Sequence, residues 1–139
     1  MQKKKSKNKL KFHHIGIFVK SINKAEKVLL KTLSLKKTSK IFKDKTLKVK
    51  VRFYKDQKNI CYEIIEPYGA NNPVTGSLIR KTNILNHIAY KTEDLDETIK
   101  NLRKQNYLQI SQIVYSQAFK KKIVFLLTPL NFIIELIQK

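Results

Sequence analysis

The sequence predicts an α+β chain built of two similar β-α-β-β-β modules, and two observations carry that prediction. The first is a strand that feeds a helix. Asn86-His87-Ile88-Ala89-Tyr90 reads as the strand, and Asp94-Leu95-Asp96-Glu97 opens a run to Gln105 with Leu95, Ile99 and Leu102 at helical spacing. Asp94 suits an N-cap, and Glu97 three residues on completes a capping box. The second observation is that this unit occurs twice. His14-Ile15-Gly16-Ile17 followed by Ser21-Ile22 matches His87-Ile88-Ala89-Tyr90 followed by Asp94-Leu95 at an offset of 73 residues. Downstream, Val51-Arg52-Phe53 matches Ile123-Val124-Phe125, and Cys61-Tyr62-Glu63-Ile64-Ile65 matches Ile133-Ile134-Glu135-Leu136-Ile137, both at offset 72.

In the first module a strand from Phe12 to about Val19 places His14, Gly16 and Phe18 on one face and His13 on the other. A helix follows over Ile22 to Leu33, with Ala25, Val28 and Leu29 as its apolar run and Lys24, Lys27 and Lys31 as a solvated stripe. Strands are expected near Leu35 to Phe42, over Leu47 to Tyr54, where Leu47, Val49, Val51 and Phe53 alternate with polar neighbours, and over Ile60 to Glu66, stopped by Pro67. Asn72-Pro73 looks like a cap followed by Pro at the first helical position, which predicts a short helix over Val74 to Lys81 in the link between the halves. The second module repeats the plan with strands near Leu108 to Val114, Lys121 to Leu127 and Phe132 to Ile137, the last two joined by a tight turn over Thr128 to Asn131. The expected organisation is a disordered basic tail over 1–11, then a single domain over 12–138 with modules of about 12–67 and 84–138 and a linker over 68–83.

Composition bounds the function. The formal charge is +20, yet 27 of the 30 basic residues are lysine, with only Arg52, Arg80 and Arg103 able to make bidentate contacts. That skew argues against a nucleic-acid reader and suits an anionic small molecule. The single cysteine, Cys61, precludes an intramolecular disulfide and fits a reducing compartment. No segment reads as a signal peptide or membrane span, so a cytoplasmic protein is expected.

Four residues carry the chemistry. Glu63 and Glu135 each sit in an apolar strand, where a carboxylate is costly unless it is paired, hydrogen-bonded or bound to a metal. His14 and His87 occupy matching positions 49 and 48 residues upstream of them. Approximate twofold symmetry between the halves would bring all four to one point, and two imidazoles with two carboxylates suit a divalent transition metal, Co, Ni, Mn, Zn or Fe, with positions left for substrate. The repeat selects His14 over His13, because His13 falls on Asn86. Cys61 shares the Glu63 face and reads as a buried thiol rather than a fifth ligand. Phe119 falls in a loop that reaches toward substrate, and Lys120-Lys121-Lys122 reads as a solvated strand entrance.

The combination His14-Ile15-Gly16-Ile17, Tyr62-Glu63-Ile64-Ile65-Glu66-Pro67, His87-Ile88-Ala89-Tyr90 with Asp94-Leu95, and Ile134-Glu135-Leu136 resembles the vicinal-oxygen-chelate superfamily of glyoxalases, bleomycin resistance proteins and dioxygenases. Glu66-Pro67, Asn72-Pro73-Val74 with Leu78, and Asn86-His87-Ile88-Ala89 are more similar to its methylmalonyl-CoA epimerase branch than to glyoxalase I. The resemblance implies a cupped eight-stranded mixed sheet around a metal, with His14, Glu63, His87 and Glu135 as the four ligands. It further implies α-proton transfer with enolate stabilisation, Glu135 being the first candidate for the proton-moving carboxylate and Glu63 the second. An acyl-CoA or related thioester anion and a homodimer follow from the same likeness. Epimerase-type members place another carboxylate on the strand before the first glutamate. Here Thr46 to Lys55 offers only Lys48, Lys50, Arg52 and Lys55 as charged groups, so no second base is expected from that strand. A glyoxalase I-like lactoylglutathione lyase is the alternative enzyme, and a non-catalytic small-molecule binder of the same fold is the alternative outside catalysis.

Overall fold

A computed structural model describes residues 9–139. Residues 1–8 of the lysine-rich tail lie outside it, and Lys11 at the end of that tail already belongs to the first strand. The chain runs β1 (Lys11–Phe18), α1 (Ile22–Thr32), β2 (Lys36–Lys37), β3 (Phe42–Asp44), β4 (Val49–Lys55), β5 (Cys61–Pro67), α2 (Pro73–Arg80), β6 (Leu85–Thr92), α3 (Leu95–Lys104), β7 (Leu108–Gln109), β8 (Val114–Ser116), β9 (Lys121–Leu127) and β10 (Ile133–Gln138). All strands join one mixed sheet in the order β2-β4-β5-β1-β6-β10-β9-β7, with β3 paired to β4 and β8 to β9.

The expected α+β fold of paired modules is found, with ten strands among the described residues in place of eight. The added strands arise because the strand expected after the helix is broken in each module, by the same device. The Ser39 hydroxyl accepts the Phe53 N–H at 3.0 Å, and the Ser111 hydroxyl accepts the Phe125 N–H at 2.9 Å. A side-chain oxygen thus replaces the backbone carbonyl that a continuous strand would offer.

The two modules meet along antiparallel β1 and β6, and each of these strands pairs on its other side with a parallel strand, β5 or β10. The registers repeat. Gly16 lies beside Glu63 and Ala89 beside Glu135, while across the junction His14 pairs with Ala89 and Gly16 with His87.

Both long helices cover the outer face. Ile22 and Leu29 of α1 pack on Tyr54 and Ile64, and Leu95 and Ile99 of α3 on Val124, Leu126, Ile134 and Leu136. Val28, expected within the apolar run of α1, is 57% exposed, because α1 buries only the narrower Ile22, Ala25, Leu29 stripe. Ser21 caps α1 by accepting the Lys24 N–H, Asp94 caps α3 by accepting the Glu97 N–H, and Asn72 caps α2 by accepting the Val74 N–H. Each long helix is also tied to a central strand. Glu66 of β5 accepts the Ile22 N–H at 2.8 Å, and Gln138 of β10 accepts the Leu95 N–H at 2.9 Å. With both helices outside, alternation along β5 and β10 turns Glu63 and Glu135 onto the other, concave face. None of the helices over the described residues is long and apolar enough to cross a membrane.

Candidate metal centre

His14, Glu63, His87 and Glu135 come from the four central strands β1, β5, β6 and β10, and each is less than a tenth exposed. The Nε2 atom of His14 lies 3.0 Å from Oε1 of Glu63 and 3.2 Å from Oε1 of Glu135. The Nε2 atom of His87 lies 3.4 Å and 3.1 Å from the same two oxygens, and the two Nε2 atoms are 3.2 Å apart. All four donor atoms fall within 4.8 Å of one another.

This donor set fits a divalent ion. Five of the six distances among these atoms are 3.0 to 3.4 Å, close enough for one ion to be held by two imidazoles and two carboxylates, a donor set that suits a divalent transition metal. Oε1 of Glu135 is buried and has no well-directed hydrogen bond, although the Nε2 atoms of His14 and His87 lie 3.2 and 3.1 Å away, and a bound ion would satisfy it. The position of each residue has a local cause. His87 lies over β1 only because Gly16 has no side chain, since a Cβ there would run into the imidazole ring. His14 is stacked on Phe119, with ring centroids 5.2 Å apart, and His87 meets the edge of Phe125 at 5.4 Å.

Without an ion, electrostatics hold the cluster as ion pairs. Burial pushes the Glu63 carboxyl up, but the His14 and His87 imidazoles outweigh it and leave it well below the usual carboxylate range. Glu135 is lowered in the same way, burial being offset by the His14 and His87 imidazoles beside it. Burial opposes charge on His87, yet the two carboxylates raise it to about 9, and His14 is raised for the same reason.

His13 departs from expectation. Strict alternation would turn it away from His14, but a β-bulge between Phe12 and His14 adds a residue to β1 opposite β6. The His13 ring therefore meets the rings of His14 at 5.1 Å and Phe119 at 5.4 Å, and its Nδ1 lies 2.8 Å from Nδ1 of His14. Burial, then the charge of His14, lowers its pKa to about 4.

Glu63, His87 and Glu135 of the cluster form part of the wall of a cavity of about 350 Å³ lined by both modules. Apolar side chains such as Phe18, Val51, Ile65, Val74, Phe119 and Phe125 make most of the lining. Asn72, Asn86, Asp44 and Ser116 add polar groups. Asp44 was missed by the sequence reading, which sought a second carboxylate from Thr46 onward. The strand β4 indeed carries none, but β3 pairs with it in register and ends in Asp44, 3% exposed. Its Oδ1 accepts the N–H groups of Thr46 and Leu47, and its Oδ2 lies 3.4 Å from the Gln117 N–H of the other module. The signal available was the repeat, because Asp44 stands 72 residues before Ser116, also buried and also on the wall. Cys61 is half-buried, is not one of the four clustered donors, and burial pushes its thiol up to about 11. Lys120, Lys121 and Lys122 are exposed at the entrance of β9, as expected.

Residues 13–125 match the Glyoxalase/Bleomycin resistance protein/Dioxygenase superfamily. The chain belongs to this superfamily. Its fold is similar to that of a hypothetical protein from Bacillus halodurans, with a TM-score of 0.79 at 24% identity over 97% of this chain and 96% of that one. It is also similar to methylmalonyl-CoA epimerase from Mycobacterium tuberculosis, with a TM-score of 0.77 at 16% identity over 92% and 87%. A variant Streptomyces coelicolor methylmalonyl-CoA epimerase in complex with 2-nitronate-propionyl-CoA gives a TM-score of 0.78 at 18% identity over 94% and 96%. No curated protein sequence matches the chain significantly. At these identities the structural likeness speaks for the fold, and the site must speak for the chemistry.

Proposed function

We propose that this superfamily member is a metal-dependent isomerase that moves the α-proton of an acyl-CoA or related thioester, in the manner of an epimerase. The observation that carries the reading is the convergence of four buried donors on one point in the wall of a largely apolar cavity. His14, Glu63, His87 and Glu135 would hold the ion. A divalent ion bound there supplies a Lewis acid that stabilises negative charge on a carbonyl oxygen.

The protein's own groups then account for the proton. Epimerisation needs an acid and a base on opposite faces of the α-carbon. Glu135 takes one role, since its Oε1 is buried, ionised and without a well-directed hydrogen bond. Glu63, the second candidate from sequence, shares one small cluster with Glu135 and so addresses the same side of a substrate. Asp44 lines the same cavity but lies outside that cluster, and is the better partner. The apolar lining would hold a short acyl group and exclude water, and the +20 charge would draw in an anionic carrier. A cytoplasmic homodimer is part of the same proposal, checked by the mass of the protein in solution.

Proton exchange in D2O, followed by NMR of 2-methyl-branched acyl-CoA thioesters, tests the reading. The metal-loaded protein should wash out the α-proton, and Glu135→Gln and Asp44→Asn should each slow this by roughly 10² to 10⁴. Asp44→Asn keeps the acceptor that Thr46 and Leu47 use, so its fold should survive. No exchange on any thioester, with turnover of a glutathione hemithioacetal instead, would replace the epimerase reading with the lyase one.

A further inference from the structure

The repeat relates more than the four clustered residues. One position before each histidine, His13 falls on Asn86 at the same offset of 73 residues that relates His14 to His87. In both modules this preceding side chain reaches the outer nitrogen of the histidine ring. Nδ1 of His87 lies 2.9 Å from Oδ1 of Asn86, and Nδ1 of His14 lies 2.8 Å from Nδ1 of His13. On a regular strand neighbouring side chains point to opposite faces, and both contacts sit at irregularities. The register between β1 and β6 shifts between Phe12 and His14 and again between Gly16 and Ile17, the latter shift facing the stretch from His87 to Leu85.

We infer that His13 and Asn86 are a matched pair of positioning residues, each accepting the Nδ1–H of the histidine that follows and so presenting that histidine's Nε2 lone pair to a metal. The inference rests on the metal reading of the four-residue cluster. The Asn86 Oδ1 atom can only accept, which places a proton on Nδ1 of His87. Two facing imidazole nitrogens can share only one proton. Nδ1 of His14 donates to His13, which accepts as a neutral ring carrying its own proton on Nε2. Both clustered histidines thereby take the one tautomer whose Nε2 is free to bind an ion. The two halves reach this by different chemistry, an amide in one and an imidazole in the other. His13 additionally braces Phe119, which stacks on His14.

The test is the zinc affinity of the full chain, read by competition with a chelating dye, with far-ultraviolet circular dichroism of each metal-free variant as the control for folding. Removing an acceptor by His13→Ala or Asn86→Ala should weaken zinc binding by roughly 10- to 100-fold, the usual effect of losing such a partner. His13→Asn, which copies the other module, should bind within about threefold of the parent, whereas His13→Phe, which keeps a ring against Phe119 but offers no acceptor, should bind as weakly as His13→Ala. Folded alanine variants that bind zinc as tightly as the parent would overturn the positioning role and leave the metal reading intact. His13→Phe binding tightly while His13→Asn binds weakly would also overturn it, making packing the sole role of the residue. A parent protein that takes up no zinc, cobalt, nickel, manganese or iron would overturn the metal reading, and this inference with it.

Discussion

At the scale of single residues, the repeat made the four clustered side chains legible, because a histidine and a glutamate recurred together in each half. Gly16 is a position where the halves differ, its counterpart being Ala89. The reason is local, since His87 leans over β1 at Gly16 and leaves no room for a Cβ. Gly16→Ala should therefore push the His87 ring off its place. The expected outcome is a loss of about 1 to 3 kcal/mol of stability from overpacking and at least a tenfold loss of metal affinity. Urea denaturation and metal titration of one preparation check both, and unchanged metal uptake would show that His87 has room to move. His13 and Asp44 were not legible for a different reason. Period-2 alternation assigns His13 to the wrong side, and only the observed bulge shows otherwise. Asp44 closes a three-residue strand that begins at Phe42, where the expected strand stopped, and so fell between the expected strands.

The elements themselves were largely legible. α1 and α3 carry both a cap and a helical apolar spacing, and β4, β5, β9 and β10 carry long alternating or apolar runs, so local and global preferences agree. The breaks at Ser39 and Ser111 were not, because a serine hydroxyl that substitutes for a strand carbonyl leaves no periodic trace. The tie between strand and helix is a feature that only the structure pairs up. Glu66 and Gln138 each lie three residues beyond a clustered glutamate and so on the opposite face, where they accept the first N–H of α1 or α3. Gln138 also donates to the Glu93 carbonyl at 2.7 Å, clamping the approach to α3. Glu66→Ala should cost about 1 kcal/mol, as loss of a helix-terminal acceptor does, and Glu66→Gln should cost less than half of that because the second module already works with glutamine. Urea midpoints decide it. Equal losses in the two variants would mean that the charge of Glu66, and not its acceptor, secures the helix.

For the whole molecule, the cluster couples protons to stability, a bound metal would enter the same balance, and the sign can be worked out group by group in the metal-free protein. His87 is raised to about 9 from 6.5, so the folded state binds more protons than the unfolded one between these values, and stability falls as pH rises through that window. His14 is raised and acts in the same direction. His13 is lowered to about 4, so from 6.5 downward the unfolded state binds more protons and stability falls as pH falls. Glu63 and Glu135 are lowered, and what they contribute is lost in acid below the ordinary carboxylate range. The metal-free protein should therefore be most stable near pH 6.5, losing on the order of 1 to 3 kcal/mol by pH 9 and a smaller amount by pH 4.5, since His13 is partly exposed. Metal reverses the upper limb. An ion takes the place of the protons on the two Nε2 atoms, so its affinity grows as pH rises and the loaded protein should hold its stability from pH 6.5 to 9. Denaturation of chelator-treated and zinc-loaded protein at pH 5, 6.5 and 8.5 separates the two states. A metal-free curve that climbs from 6.5 to 8.5 would mean that the raised His14 and His87 do not govern the stability in that window.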